Sequence, residues 1–401
     1  MYFIFINIIS LIIGYFIGSI NPAYIFGKLK GIDIREVGTK NAGTTNLYHT
    51  FGAAYAVPTA IYDTLKGLLA MSLSWILGAN FIFMNLSGLL VIVGHIFPFY
   101  LKFKGGQGVA TATGIMLFYL IDYMFLINWV DFLFFLAFML ILVGIFAYVT
   151  KTGEFLSILL LPIFGYYIYL QYPNEPYNPF LWIILLHIIS IGLYNIISKK
   201  LIVIDDEGFK KHKWRVLARP FAVLFIIFHY YLDDVVSVSI VGIVALAFIF
   251  LDIIKILSKQ TQDIFSKKVK AVFRKGELTK FSSMTAFLVA AFITMLIFEK
   301  NIAITSLAFI IFGDIFSKIF GLGFGKIKIF DKTLEGSLAY LGCVLICCYV
   351  LYYTIGMNFY ILLIGAISAP IIEIFSINVN DNFTVPLISA TVMTVGVFFG
   401  L

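Results

Sequence analysis

Residues 94–111 read GHIFPFYLKFKGGQGVAT. An apolar run of transmembrane character stops there and gives way to Lys102, Lys104 and paired glycines. A bilayer core offers main-chain amides no water, so irregular glycine-rich backbone belongs at a membrane edge or against a polar cavity. Glycines let main chain come close to a ligand, and amides beside two lysines form a cradle for an anion. The run therefore reads as a membrane-embedded site that handles phosphate. The plain alternative is an ordinary basic loop on the cytosolic side.

Composition points the same way. The chain has 401 residues, 61% hydrophobic and 12% charged, with a mean hydropathy of +1.02. Soluble domains carry about 25% charged residues. We expect an all-α polytopic integral membrane protein of about 14 transmembrane helices in two seven-helix halves, each helix of the length needed to cross a bilayer. The apolar stretches fall near 3–27, 53–77, 81–101, 109–121, 132–149, 155–170, 180–197, 216–232, 235–256, 281–298, 301–320, 337–355, 359–376 and 384–401. Of the 28 Lys and Arg residues, all but Lys66 and Lys300 lie in or beside alternate loops. The positive-inside rule makes those loops cytosolic and puts both termini outside, in a plasma membrane protein whose sites face the cytosol. The +7 charge thus reports orientation and gives no reason to invoke nucleic acid. Cys343, Cys347 and Cys348 share one apolar span and suggest neither a disulfide framework nor a metal site. Residues 1–27 lack a basic start and read as a retained first helix, not a signal peptide.

The basic stretch 199–219 (KKLIVIDDEGFKKHKWRVLAR) is the best boundary, giving domains 1–204 and 205–401. A second basic segment, 257–280, reads as an amphipathic helix near anionic membrane lipids. Seven spans on each side give the halves opposite topology, as in many carriers. The halves share no motif, however, and their polar clusters gather at cytosolic helix ends, not at the midplane. A transporter remains the rival class.

Four clusters mark the first half: GSINP (18–22), VGTKNAGTTN (37–46), DTLKG (63–67) and the 94–111 run. The second is rich in small donors that can wrap a phosphate, with Arg35 and Lys40 to neutralise it. Asp63 and Lys66 share a helix face. At a bilayer centre each would cost about 2.5–3.5 kcal/mol, so the pair implies use in function or an ion pair that locks helices. Together the clusters resemble the bacterial acyl-phosphate:glycerol-3-phosphate acyltransferase family over roughly residues 5–200. That resemblance implies a seven-helix enzyme that moves an acyl group from acyl phosphate to the sn-1 hydroxyl of glycerol 3-phosphate, giving lysophosphatidate without a cofactor. It carries over Ser19, Arg35, Thr39, Asn41, Gly43 and Asn46 as substrate ligands. Asp63, Lys66, His95 and Lys104 follow as catalytic candidates, with Gly105, Gly106, Gly108 and Thr111 as further ligands. His95 could take the hydroxyl proton or serve as a structural histidine. The sequence departs from the family at Gly38-Thr39-Lys40-Asn41, at Gln107 where a lysine is usual, at 151–162, and before Asn195, where Arg-His is replaced. The acyltransferase signature of soluble enzymes occurs once, at His229 and Asp234, at an outer helix end where it reads as chance.

The second half holds GDIFSKIFGLGFGKIK (313–328), DKTLEGS (331–337), DNFTVPL (381–387) and Glu373 inside an apolar span. GLGFGK at 321–326 has neither the spacing nor the Ser/Thr of a Walker A loop. Asp314, Glu373 and Asp381 can hold Mg²⁺, while Gly321, Gly323 and Gly325 with Lys326, Lys328 and Lys332 can grip a triphosphate. Tight helix packing is the alternative for the glycines. These islands resemble the dolichol kinase, phytol kinase and CTP-dependent diacylglycerol kinase family over roughly 205–401, with a loose match at Lys211–Arg219 and His212. The resemblance implies CTP-dependent phosphorylation of a lipid alcohol, a polyprenol or diacylglycerol. Asp314 and Lys332 would be catalytic, with Gly321, Gly325, Lys326, Thr333, Glu335, Gly336, Ser337, Asn382 and Pro386 completing the site. A phosphatidate cytidylyltransferase-like or degenerate domain is the alternative.

Overall fold

The computed structural model describes residues 2–126, 128–202, 219–257, 280–376 and 380–401. Most of the basic boundary (203–218, with Lys211 and His212) and of the proposed amphipathic helix (258–279) lies outside the described residues. The protein is an all-α, multi-pass integral membrane protein. Among the described residues nine helices are long and apolar enough to cross a membrane, and four shorter apolar helices accompany them. One more long helix, Ala53–Ile76, carries Asp63 and Lys66. Every apolar stretch read from the sequence coincides with a helix. By contacts the chain divides into two compact units, 1–140 with 153–199, and 141–152 with 200–401.

In the first unit, α1 (Tyr2–Ser19) is mostly apolar, with Asn7 and Ser10 buried along it, and stops at Gly18-Ser19. Asn21 then caps α2 (Pro22–Leu29), its side chain accepting the Tyr24 amide at 2.9 Å. Pro22, which has no amide proton to waste, sits in the first turn. A loop leads to α3 (Thr44–Phe51) and then to α4 (Ala53–Ile76). α5 (Phe81–Ile96) ends at His95-Ile96, and after the glycine-rich loop α6 (Val109–Met124) begins. α7 (Trp129–Thr150), α8 (Gly153–Gln171) and α9 (Asn178–Ser198) follow.

α1 and α5 pack backbone to backbone. Gly14 and Gly18, four residues apart, put no side chain between the helices. A Cβ on Gly14 would overlap the Ser87 carbonyl and one on Gly18 the Val91 carbonyl, while Gly94 fits against the Tyr15 carbonyl. Small residues allow this approach where lipid gives no hydrophobic drive. Gly114 of α6 meets the main chain of α4 at Thr64 in the same manner. Buried polar pairs add direction: Ser74 to Ser87 at 2.9 Å, Tyr119 to Asn85 at 2.7 Å and Tyr123 to Asn178 at 2.6 Å.

The second unit contains α10 (Val223–Tyr231), α11 (Asp234–Leu257), α12 (Ser283–Ile297), α13 (Lys300–Phe324), α14 (Leu334–Ile355), α15 (Phe359–Phe375) and α16 (Asp381–Phe398). α13 is its axis, buried along most of its length. Phe309, Ile310 and Ile311 from α13 share a core with Tyr340, Val344, Leu362, Ala366, Val385 and Met393. The Tyr340 ring lies where a Gly313 side chain would be. The end of α7 packs in this unit through Phe146, against Phe316 and Phe320. After α13 a two-stranded hairpin, β1 (Lys328–Ile329) and β2 (Lys332–Thr333), turns the chain into α14.

Replacing Gly18 with isoleucine forces α1 and α5 apart. Overpacking of this kind costs about 1–3 kcal/mol, so the variant should show a lower unfolding midpoint in detergent, whereas Ile12→Val on the exposed side of α1 should leave it unchanged.

Candidate functional site

Two helix ends meet in the first unit around one buried cation carried mid-way along α4. Lys66 has its ammonium 2.8 Å from Asp63 Oδ1. It also lies 3.2 and 3.3 Å from the carbonyls of Gly18 and Ile20 and 2.6 Å from His95 Nδ1. Asp63, Lys66 and His95 are all buried. The last carbonyls of a helix have no partner within it, and the cation satisfies those at the end of α1 while the dipole there favours positive charge. Sequence spacing implied the Asp63–Lys66 pair; it did not reveal the contacts to α1 and His95.

The 38–46 loop is clasped by Asn46. Its amide nitrogen donates to the carbonyls of Ile34, Val37 and Asn41 at 2.7–3.0 Å, and its oxygen accepts the Thr39 amide at 2.9 Å. Asn46 is fully buried and its bonding capacity is spent, so its place is as the loop's internal tie and not as a substrate ligand. Ser19 likewise donates back to the Tyr15 carbonyl at 2.9 Å. Arg35 pairs with Asp33 and also donates to the Leu101 and Lys104 carbonyls, at 3.0 and 3.3 Å, thereby binding the two motif loops together. The guanidinium's hydrogen bonds hold the Asp33 carboxyl down at about 2. Thr39 and Lys40 are exposed, Asn41 and Gly43 partly so.

In the 102–108 loop the expected cradle is narrower than the sequence implies. The Gly105 and Gly106 amides donate to Ile96 and His95 carbonyls at 2.9 and 3.1 Å, and Lys104 donates to Leu101. Those amides fold the loop back onto α5 and do not face outward. Lys102 and Lys104 are exposed. Gly108, at φ +73, opens α6, whose first-turn amides have no carbonyl within the helix to pair with. Thr111 follows, buried, its hydroxyl without a hydrogen-bond partner. Gln107 makes a reciprocal amide pair with Asn195, at 2.7 and 3.2 Å, and its carbonyl meets His187 Nε2 at 3.1 Å. Gln107, one of the departures noted in the sequence, thus touches Asn195, and His187 is a residue sequence reasoning missed. A shallow apolar groove of about 290 Å³, lined by Thr44, Thr45, Tyr48, Ala56, Val57 and Ala60, flanks the 38–46 loop.

The second unit gathers Asp314, Glu373 and Asp381, one carboxylate oxygen of each lying within 4.8 Å of the others. Lys332 reaches Glu373 Oε1 at 2.6 Å and Asp381 Oδ2 at 2.7 Å, and Lys318 reaches Asp314 Oδ2 at 2.8 Å. Burial alone would lower the Lys332 ammonium's pKa, but Asp381 and Glu373 outweigh it and hold it above the usual lysine value. Glu373 is buried, and among the described residues its Oε2 has no partner. Glu335 accepts the Lys326 and Ile327 amides at 2.9 and 3.2 Å, so it braces the hairpin. The glycines serve packing: Gly336 sits against Gly321, and Gly325 against the Gly321 carbonyl and Thr333. Lys326 is exposed, Ser337 is buried with an unpaired hydroxyl, and Asn382 donates to the Ser283 carbonyl at 3.4 Å. A further buried pair, Asp252–Lys255 with Ser282 and Thr285, escaped the sequence reading. His229 bonds Ser237 and Asp234 pairs with Lys300, so their spacing marks no joint site.

Fold and site define a multi-pass membrane protein whose first unit assembles basic, glycine-rich loops over a buried ion pair. Residues 8–201 match the family model described as glycerol-3-phosphate acyltransferase. The glycerol-3-phosphate acyltransferase of Bacillus subtilis (strain 168) is 46% identical over 110 residues, 27% of this chain and 56% of that protein. Glycerol-3-phosphate acyltransferase 2 of Bacillus anthracis is 49% identical over 113 residues, 28% of this chain and 59% of its own length. The chain thus spans little more than half the length of these curated relatives. A crystal structure of PlsY (YgiH), an integral membrane glycerol 3-phosphate acyltransferase in its glycerol 3-phosphate form, is 27% identical, covering 48% of this chain and 89% of that chain at a TM-score of 0.36.

Lys66→Met strands a buried carboxylate and should cost about 3–5 kcal/mol. Adding Asp63→Asn removes the stranded charge and should recover much of that loss, read as unfolding midpoints of the single and double variants in detergent.

Proposed function

We propose that residues 1–204 transfer an acyl group from acyl phosphate to the sn-1 hydroxyl of glycerol 3-phosphate. The hydroxyl oxygen forms the ester bond, the anhydride C–O bond breaks, and inorganic phosphate leaves, the hydroxyl proton ending on it. The observation that carries this reading is the convergence of GSINP, VGTKNAGTTN, DTLKG and the 94–111 run around Lys66 and His95, in the region most like curated glycerol-3-phosphate acyltransferases. Mixed anhydrides carry a good leaving group, so positioning two anions and stabilising an oxyanion suffices. Thr39, Asn41, Gly43, Lys40, Lys102, Lys104, Gly108 and Thr111 are the ligands on this reading; Arg35, Asn46, Gly105 and Gly106 hold the loops. The groove beside Thr44 and Val57 suits an acyl chain. The basic loops support a cytosolic site in the plasma membrane.

For residues 205–401 we propose CTP-dependent phosphorylation of a lipid alcohol. Its support is the carboxylate trio and the unpartnered, buried Glu373 Oε2, a donor set that fits Mg²⁺. Asp314, Glu373 and Asp381 would hold the ion, which supplies charge neutralisation for the triphosphate. Lys332 and Lys318 supply further positive charge beside it.

Purified protein in lipid, given radiolabelled glycerol 3-phosphate, should form lysophosphatidate with acyl phosphate and not with acyl-CoA; no product from either donor sinks the first reading. Lys66→Ala should abolish that activity and leave CTP-dependent lipid phosphorylation intact, and Asp381→Ala should do the reverse. A CTP-dependent product that survives Asp381→Ala removes the second reading.

A further inference from the structure

Ser317 lies on α13 three residues after Asp314, so the two side chains are neighbours on one helix face. Both are buried. Serine and threonine inside a helix can turn the hydroxyl back to the carbonyl four residues earlier. Thr59, Ser389 and Thr394 do this, at 2.7–2.9 Å. Ser317 instead reaches across to α15 and donates to Glu373 Oε1 at 3.2 Å.

Lys332 donates to that same oxygen at 2.6 Å from the hairpin. Each oxygen of an ionised carboxylate has two lone pairs to offer. Two donors therefore fall on Oε1, while among the described residues Oε2 receives none, although Glu373 is only 1% exposed. A buried carboxylate oxygen without a donor is costly to keep. The uneven division has a use where the second oxygen is reserved for a cation.

The two donors differ in what they can fix. Lys332 is a point charge on a flexible stem, and it is shared with Asp381 Oδ2 at 2.7 Å. Ser317 carries a short side chain on a main chain that α14 packs against directly. A Cβ on Gly336 would come within 2.9 Å of the Ser317 carbonyl and 3.2 Å of Gly321 Cα. Glycine at both positions lets the helices approach this closely, which leaves the backbone at Ser317 little room to shift.

We propose that Ser317 is a positioning residue for a divalent cation: it holds Glu373 by Oε1 so that Oε2 faces an ion shared with Asp314 and Asp381. This rests on the reading of the second unit as a metal-dependent site. It adds to that site a side chain that touches neither ion nor substrate.

Mn²⁺ titrated into the purified protein in lipid, with the free ion followed by electron paramagnetic resonance, tests the role without turnover. Asp381→Ala gives the baseline for binding elsewhere in the chain. Ser317→Ala should weaken Mn²⁺ binding about 10–100-fold, the range for losing a group that orients a metal ligand. Ser317→Thr keeps the hydroxyl and should restore most of the affinity. Added to Glu373→Ala, Ser317→Ala should cause no further loss, because residues that act through one another are not additive. Unchanged binding in Ser317→Ala, or the same loss with and without Glu373, overturns the proposal while the metal site stands. A parent that binds no more Mn²⁺ than Asp381→Ala removes the metal site and the proposal together. If Mn²⁺ binding responds to Ser317 as expected but no CTP-dependent product forms, the positioning role holds and the kinase reading has failed.

Discussion

Lys66 puts a full positive charge inside an apolar span, and the first unit is arranged to satisfy it. An unpaired charge at mid-membrane costs about 2.5–3.5 kcal/mol. Asp63, one helical turn away, cancels the charge, and the carbonyls of Gly18 and Ile20 complete its shell. Those carbonyls are the frayed end of α1, so the same cation decides where the first helix stops and where GSINP begins. His95, its fourth neighbour, ends α5, and the His95 carbonyl receives Gly106 as the glycine-rich loop returns. One ion pair therefore sets the position of three motifs far apart in sequence.

Polar residues around it divide their labour. Asn46 exhausts its side chain inside its own loop, and Arg35 spends its guanidinium on Asp33 and on the carbonyls of the neighbouring loop. Gln107 and Asn195 close on each other. The groups left facing outward are lysine ammoniums, threonine hydroxyls and the amides that start α6. The result is a rigid frame with a small set of free donors, the arrangement that preorganised electrostatic stabilisation requires.

The helices were legible because a membrane span writes its length directly into hydropathy. The four motifs were legible because glycine, lysine and small polar residues have no other reason to interrupt such spans. Residue roles were less so. Spacing gives the type of a group but not where its protons go, and Asn46, Glu335 and Gly105 look like ligands until their hydrogen bonds are counted. Gly14 passed unnoticed and Gly18 was read only as the start of GSINP, since their packing meaning depends on Ser87 and Val91 across a helix contact. The packing of Phe146 within the second unit has no local signal at all, because it is one phenylalanine among 43.

The two units solve opposite charge problems. In the first, Asp63 and Lys66 cancel, Asp33 and Arg35 cancel, and Lys40, Lys102 and Lys104 remain exposed as surplus positive charge. Such a surface accepts an anion directly. In the second, three clustered carboxylates meet Lys318 and Lys332, and one Glu373 oxygen has no partner among the described residues. On the reading proposed for this unit, a divalent ion would find its oxygen donors in these three carboxylates. On the two proposed readings, the exposed lysines of the first unit would meet an anion directly, and the carboxylates of the second would meet a cation first.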